Sequence, residues 1–265
     1  MSTVTNFLDE IIHRKRVAVA RAKAESKDIV LSAHDARRNA RAFALSHAIK
    51  SCKHQFPIIA EFKRASPSKG ELRANANASD IARTYEKNGV CAISVLTDEE
   101  FFHGSLDDLA AVKTSVSLPV LRKDFVIDEF QVLEAAIAGA DAVLLIVAAL
   151  MNGQLRSLRK LIEDELKMDA LVEVHSVDEM KRAGECGARL IGVNNRDLRT
   201  FQVALSISEQ CVAVAPPDAI LISESGLRDG QDLQRLRSGG YDGFLIGEAL
   251  MTANDPGEAL RSLLR

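Results

Sequence analysis

Eight short apolar segments recur along this chain, at Pro57–Lys63, Val90–Leu96, Pro119–Lys123, Ala142–Val147, Ala170–Val174, Leu190–Asn194, Ala219–Glu224 and Gly243–Ile246. Short runs that are apolar on both faces describe strands covered on both sides, as in a parallel sheet flanked by helices. Segments of helical periodicity lie between them, among them Phe130–Ala138, Gln154–Leu166, Val177–Cys186 and Asp229–Arg237. The strand starts are roughly 20 to 33 residues apart, the length that a strand, a helix and two short loops require. Gly89, Gly139, Gly187 and Gly240 each stand between a helical stretch and the next strand, where glycine suits the left-handed residue that ends a helix. Eight such units predict an α/β chain folded as a single (β/α)8 TIM barrel over residues 1–265. Residues 1–56 precede the first strand and are expected to be helices packed across one mouth of the barrel. A doubly wound open sheet shares the alternation, but the GxGxxG fingerprint and the P-loop signature are both missing.

With 47% hydrophobic residues in 265, the chain can bury a core of that size. A net charge of −3 argues against a general nucleic-acid binder. The locally basic stretch His13–Lys23 has no interleaved aromatic residues, and with Phe7, Leu8, Ile11 and Ile12 before it reads as the solvated face of an amphipathic helix. Cys52, Cys91, Cys186 and Cys211 are far apart, with no CxxC pair or histidine cluster, so the expectation is reduced, mostly buried thiols and no metal site. The first ten residues already contain Asp9 and Glu10 and lack an apolar signal core. The longest apolar run, Ala142–Met151, is too short to span a bilayer. A cytoplasmic protein bound neither to membrane nor to nucleic acid is expected.

The polar residues of the apolar segments cluster at their C-terminal ends. Glu61 and Lys63 end the first, Lys123 the third, Glu173 the fifth, Asn194 the sixth and Glu224 the seventh. Strand alternation puts Leu121 with Lys123, Leu171 with Glu173 and Ile222 with Glu224 on shared faces, so all of these can point into the barrel. Charges gathered beside an apolar core are costly, which favours a catalytic rim over a set of strand caps. After the seventh and eighth segments come Ser223-Glu224-Ser225-Gly226 and Gly247-Glu248-Ala249-Leu250. Many barrels hold a phosphate on backbone N–H groups at those two loops, although ordinary βα turns also contain glycine. His103 and His175 read as polar lining or loop residues, and Asp98, Glu99 and Glu100 as a solvated acidic loop. Arg196 is open between pairing with an acid and touching a substrate. Ser68 and Gly70 make the loop after the first strand a candidate mobile lid.

With those residues in view, the chain resembles the indole-3-glycerol phosphate synthase family. The resemblance is carried by Ile59–Gly70, Ser94-Val95-Leu96-Thr97, Leu121-Arg122-Lys123-Asp124-Phe125, Leu171-Val172-Glu173-Val174-His175, Ile191–Leu198, Ser223-Glu224-Ser225-Gly226 and Phe244-Leu245-Ile246-Gly247, in that order. It implies a monofunctional enzyme of tryptophan biosynthesis, a decarboxylating lyase that closes the indole ring of a phosphorylated small-molecule substrate. No cofactor, metal or obligate protein partner is implied. Catalytic roles fall by resemblance on Glu61, Lys63, Lys123, Glu173, Asn194, Glu224 and Ser225. Phosphate binding falls on Lys63 and Ser66 with the backbone of Ser225, Gly226, Gly247 and Glu248, and the anthranilate ring on Phe102 and Phe125. Three other readings compete: a Schiff-base aldolase with Lys63 or Lys123 as nucleophile, an FMN-dependent oxidoreductase using the same phosphate loops, and a barrel that only binds a phosphorylated metabolite.

Overall fold

The computed structural model describes residues 7–25, 28–198 and 200–264. Eight parallel strands close into a barrel: β1 (Ile58–Phe62), β2 (Ala92–Leu96), β3 (Val120–Lys123), β4 (Ala142–Ile146), β5 (Asp169–Val174), β6 (Leu190–Asn194), β7 (Ile220–Glu224) and β8 (Gly243–Ile246). Each strand pairs with its neighbours in sequence, and β8 returns to β1 with Ile58 opposite Phe244 and Ala60 opposite Ile246, so no edge is left open. The (β/α)8 expectation therefore holds. Every strand residue is buried apart from half-buried Lys123 at the end of β3. Lys63 stands one residue past β1, and the stretch expected as one helix over 154–166 divides into an α-helix, Asn152–Lys160, and a π-turn, Leu161–Glu165.

The alternation that selects the barrel also sets its layers. Ile59, Leu121, Leu171 and Ile222 are fully buried. Two residues further along the same strands stand Glu61, Lys123, Glu173 and Glu224, so a plug of aliphatic side chains floors a layer of charges. The outer helices begin under side-chain caps. Asn77, Ser105, Asp128, Ser176, Asp229 and Asp255 each accept a hydrogen bond from a first-turn N–H of the helix that follows. At the other end of the units, Gly89, Gly139, Gly187 and Gly240 all have positive φ.

Three helices precede β1: α1 (Phe7–Glu25), α2 (Ile29–Arg37) and α3 (Ala44–Ser51). They divide between the two ends of the barrel and do not cover a single mouth. On α1, Leu8, Ile11 and Ile12 face inward over the C-terminal rim, where the Lys15 ammonium lies 2.7 Å from both Asp98 and Asp124, in the loops after β2 and β3. At the opposite end the first N–H groups of α3, those of Leu45 and Ser46, donate to the Asp169 carboxylate at the start of β5, at 2.9 and 3.1 Å. An acid at a helix N-terminus satisfies donors that the helix itself cannot, and it fixes α3 beneath the barrel. Among the described residues no helix is long and apolar enough to cross a membrane.

Candidate active site

The strand ends open into one cavity of about 660 Å³ at the C-terminal rim. Every site residue named from the sequence lines it: Glu61, Lys63 and Ser66 from β1 and its loop, Phe102, Lys123, Phe125 and Glu173 from β2 to β5, and Asn194, Arg196, Glu224, Ser225, Gly226, Gly247 and Glu248 from β6 to β8. Their convergence follows from the register. Lys123, Asn194 and Glu224 are the last residues of their strands, while Glu61 and Glu173 are next to last, so the closed barrel brings them to one level.

Lys123 is the centre of the charged layer. Its Nζ lies 2.7 Å from Glu173 Oε2 and 3.2 Å from Glu224 Oε2, and only 12% of the side chain is exposed. Burial alone would drive the proton off this ammonium, but Glu173, Glu224 and Glu61 together outweigh burial and hold Lys123 above the usual lysine range. The two neighbouring carboxyls part ways. Burial raises Glu173, yet Lys123 and His175 more than reverse that and keep it an anion below the ordinary carboxylate range. Glu224 is pushed up to about 8, by burial first and then by Glu173 and Glu61 against the pull of Lys123. One acid of the pair is thus ionised and the other holds a proton at neutral pH. Glu224 Oε1 is buried with no hydrogen-bond partner, against the Gly192 backbone. Beside this cluster Lys63 Nζ pairs with Glu61 Oε1 at 2.6 Å.

Two glycines make room for the acids. A Cβ on Gly192 would collide with Glu224 Oε1, and one on Gly247 would collide with the Glu61 carboxylate. The phosphate-type loops lie alongside. Ser225 and Gly226 adopt consecutive left-handed conformations, φ 66° and 77°. Among the described residues, the N–H groups of Ser225, Gly226, Gly247 and Glu248 find no acceptor, and the buried Ser66 hydroxyl lacks a partner. Those free donors face a cavity also lined by the Lys63 ammonium, which is what an anion requires. At the apolar end Phe102 and Phe125 stand 6.3 Å apart, centroid to centroid. The Asn194 Oδ1 accepts from the Arg196 N–H at 3.0 Å, and Arg196 in turn reaches Glu248 Oε2 at 3.0 Å and the Ser68 hydroxyl at 3.3 Å.

The structure gives several rim residues a larger part than the sequence assigned them. His175 sits between two acids, Nε2 3.1 Å from Glu173 Oε1 and Nδ1 3.2 Å from Glu179 Oε2. Burial lowers it, but those carboxylates raise it to about 9, so it is an imidazolium beside Glu173 and more than polar lining. Asp98 is 2% exposed, caps the helix Glu99–Phe102 and binds Lys15, contrary to the expectation of a solvated acidic loop. Lys15 is itself half-buried on a helix face read as solvated. The signal was present: an Asp directly before Glu-Glu-Phe-Phe has the N-cap pattern. Phe7 of α1 packs edge-on against Phe101 and Phe201, both at 5.4 Å, and roofs the cavity. The loop after β1 folds as a hairpin, Ala65–Ser66 against Gly70–Glu71, with the Arg64 guanidinium forked onto Asp108 at 2.6 and 2.7 Å.

Comparison with known proteins agrees with this geometry. The fold resembles an N-acetylmannosamine-6-phosphate 2-epimerase from Clostridium perfringens (TM-score 0.60, 12% identity, covering 76% of this chain and 89% of that one). It also resembles a thiamine phosphate pyrophosphorylase from Pyrococcus furiosus (TM-score 0.57, 16% identity, 78% and 92%). Those likenesses speak to the barrel. Sequence relatives go further: an indole-3-glycerol phosphate synthase of Carboxydothermus hydrogenoformans is 44% identical over 97% of this chain and 99% of its own, and one of a Polaromonas species 43% identical over 98% of each. The family profile described as indole-3-glycerol phosphate synthase matches residues 8–263, which contain every strand of the barrel and every cavity-lining residue except Phe7. The chain belongs to the indole-3-glycerol phosphate synthase family.

Proposed function

We propose that Lys123 is the proton donor for ring closure in the family's reaction, the conversion of 1-(2-carboxyphenylamino)-1-deoxyribulose 5-phosphate to indole-3-glycerol phosphate, carbon dioxide and water. The observation that carries this reading is the Lys123 ammonium held between Glu173 and Glu224 at the centre of the cavity. As the ring carbon bearing the carboxylate bonds to the ketone carbon, the carbonyl electron pair moves to oxygen, and that oxygen takes a proton from Lys123. The neighbouring carboxylates that raise the lysine pKa make it a weak acid at rest but guarantee that it is protonated when an alkoxide develops. Carbon dioxide then leaves, and its bonding pair restores the aromatic ring. In the last step the new hydroxyl departs as water with a proton from Lys63, while the carbon beside nitrogen loses a proton to Glu61, which is paired with Lys63 at 2.6 Å.

Glu173, held as an anion, stabilises the cationic nitrogen of the intermediates. Glu224, carrying its proton, and Asn194, whose amide oxygen is occupied by the Arg196 N–H, present hydrogen-bond donors to the ribulose hydroxyls. The phosphate binds the free N–H groups of Ser225, Gly226, Gly247 and Glu248 with Ser66 and Lys63, and the anthranilate ring lies against Phe102 and Phe125. A Schiff-base nucleophile would need a lysine with a depressed pKa, the opposite of what the acids around Lys123 produce. The test is indole fluorescence after adding substrate. Lys123→Ala is expected to lower turnover at least about a hundredfold, against a low background because the chain has no tryptophan. Turnover near that of the unaltered protein would remove the assignment.

A further inference from the structure

Directly behind the Ser225-Gly226 loop lies a buried polar cluster that the reaction does not touch. Asn195 follows Asn194 but faces the other way, between β6, β7 and the helix Ser206–Val212, and is 1% exposed. Its Nδ2 donates to the Ser223 hydroxyl at 3.0 Å and to the carbonyl oxygens of Glu224 and Ser225 at 3.0 and 3.2 Å. Its Oδ1 accepts from the N–H and the hydroxyl of Ser208 at 3.1 and 2.9 Å. The Ser208 hydroxyl also lies 2.9 Å from that of Ser223, and the Tyr241 hydroxyl donates to the Ser208 carbonyl at 2.9 Å. Both ends of the Asn195 amide are therefore engaged, and it cannot turn over without breaking bonds on each side.

The consequence follows from peptide geometry. The carbonyl of one residue and the N–H of the next belong to one planar trans unit and point in opposite directions. Holding the Glu224 and Ser225 carbonyls behind the loop turns the N–H groups of Ser225 and Gly226 forward, into the cavity, where neither has an acceptor among the described residues. Left-handed backbone is disfavoured at a serine, so Ser225 at φ 66° needs something to hold it there. We infer that Asn195 is a positioning residue for the anion-binding loop, its amide gripping the carbonyls of Glu224 and Ser225 so that two backbone donors meet the substrate phosphate. The inference rests on the phosphate site proposed above, and the test separates the two.

The Glu224 carbonyl also accepts from the Asn195 backbone N–H at 2.9 Å, so the Ser225 carbonyl is the one that depends on the side chain. Asn195→Asp keeps shape and the acceptor toward Ser208 but sets oxygen against two carbonyls, Asn195→Leu removes the side-chain grip and leaves only that backbone bond, and Ser208→Ala removes one support. Each folded variant is measured for kcat, for KM, and for competitive inhibition by inorganic phosphate and by N-methylanthranilate, which has no phosphate. In both Asn195 variants the KM and the phosphate Ki are expected to rise about tenfold, and in Ser208→Ala about threefold, with N-methylanthranilate inhibition unchanged. If phosphate does not compete in the unaltered protein, the phosphate site itself falls and the inference with it. If phosphate competes there, and equally well in the variants, the role of Asn195 is overturned alone. Equal weakening of both inhibitors would likewise overturn it, as the mark of a structural role. Should the Asn195 variants fail to fold, an unchanged phosphate Ki in Ser208→Ala decides against it.

Discussion

Replacing Glu224 by glutamine tests the division of the two buried acids into one ionised and one neutral. Glu224 titrates near 8 in the folded protein against 4.5 for a free glutamate, so between those values the folded state holds a proton that the unfolded chain releases. Stability from this group is therefore complete below about pH 4.5 and drains away as pH rises toward 8. A shift of that size is worth about 4 kcal/mol by pH 8, at about 1.4 kcal/mol per unit with the group half titrated. Glutamine has the shape of the neutral acid and does not titrate. Glu224→Gln should match the parent near pH 5 and exceed it at pH 8 by that amount. With a urea m-value of about 4 kcal/mol/M for a chain of this length, the midpoints separate by about 1 M. The assay is urea unfolding followed by circular dichroism at pH 5, 6, 7 and 8 in both proteins. Because Glu173 is depressed, its contribution is lost only as pH falls below about 4.5, outside this window. Midpoints that run parallel in the two proteins from pH 5 to 8 would refute the reasoning, since Glu224 would then titrate alike folded and unfolded.

Gly247→Ala puts a Cβ into the Glu61 carboxylate and must displace it from Lys63, so kcat should fall at least about tenfold in a protein whose circular dichroism is unchanged. Indole fluorescence gives the rate, and an unchanged kcat would show that the Glu61–Lys63 pair is dispensable. Lys15→Met leaves Asp98 without its cation and Asp124 with Arg122 alone, at a cost of about 3 kcal/mol. Urea unfolding measures that loss, and a rise in KM is expected with it because Phe7, Leu8 and Ile11 of the same helix line the cavity; equal KM in the variant would mean that α1 keeps its place without Lys15.

The barrel and the charged rim were legible because both are properties of short strands. A period of two assigns a residue to the inside or outside of a strand without any knowledge of its neighbours, so Lys123, Glu173 and Glu224 could be placed from Leu121, Leu171 and Ile222 alone. What the sequence concealed depends on pairing across distance. Lys15 looked solvated because its partners, Asp98 and Asp124, come 83 and 109 residues later. His175 is the exception: its acids, Glu173 and Glu179, are two and four residues away, so that pairing was local and within reach of the same period-of-two argument. The position of α3 beneath the barrel depends on Asp169, which stood just outside the strand expected from Ala170. The polar cluster behind Ser225 was invisible for a related reason: Ser208, Ser223 and Tyr241 are unremarkable residue types until the fold closes them around Asn195.

The two ends of the cavity meet their charges by different means, and Glu248 shows why the difference matters. At the proposed catalytic end each lysine is balanced by one or more acids within 3.2 Å, so charge is met there by counter-charge. At the other end the proposed phosphate donors are mostly uncharged N–H groups, set by backbone geometry and by the Asn195 network, and they neither titrate nor demand a counter-charge. A carboxylate at Glu248, the first residue of the helix after β8, would repel a phosphate there if it were left alone. Arg196 takes up that charge at 3.0 Å while its other arm holds Ser68 from the loop after β1. The arginine thus offsets the Glu248 charge beside the proposed anion site and ties three loops across the mouth. Removing Glu248 should therefore free Arg196 toward the substrate more than it relieves repulsion, so the effect of Glu248→Ser on KM depends on whether Arg196 is present, and the double substitution with Arg196→Ala is the measurement that separates the two contributions.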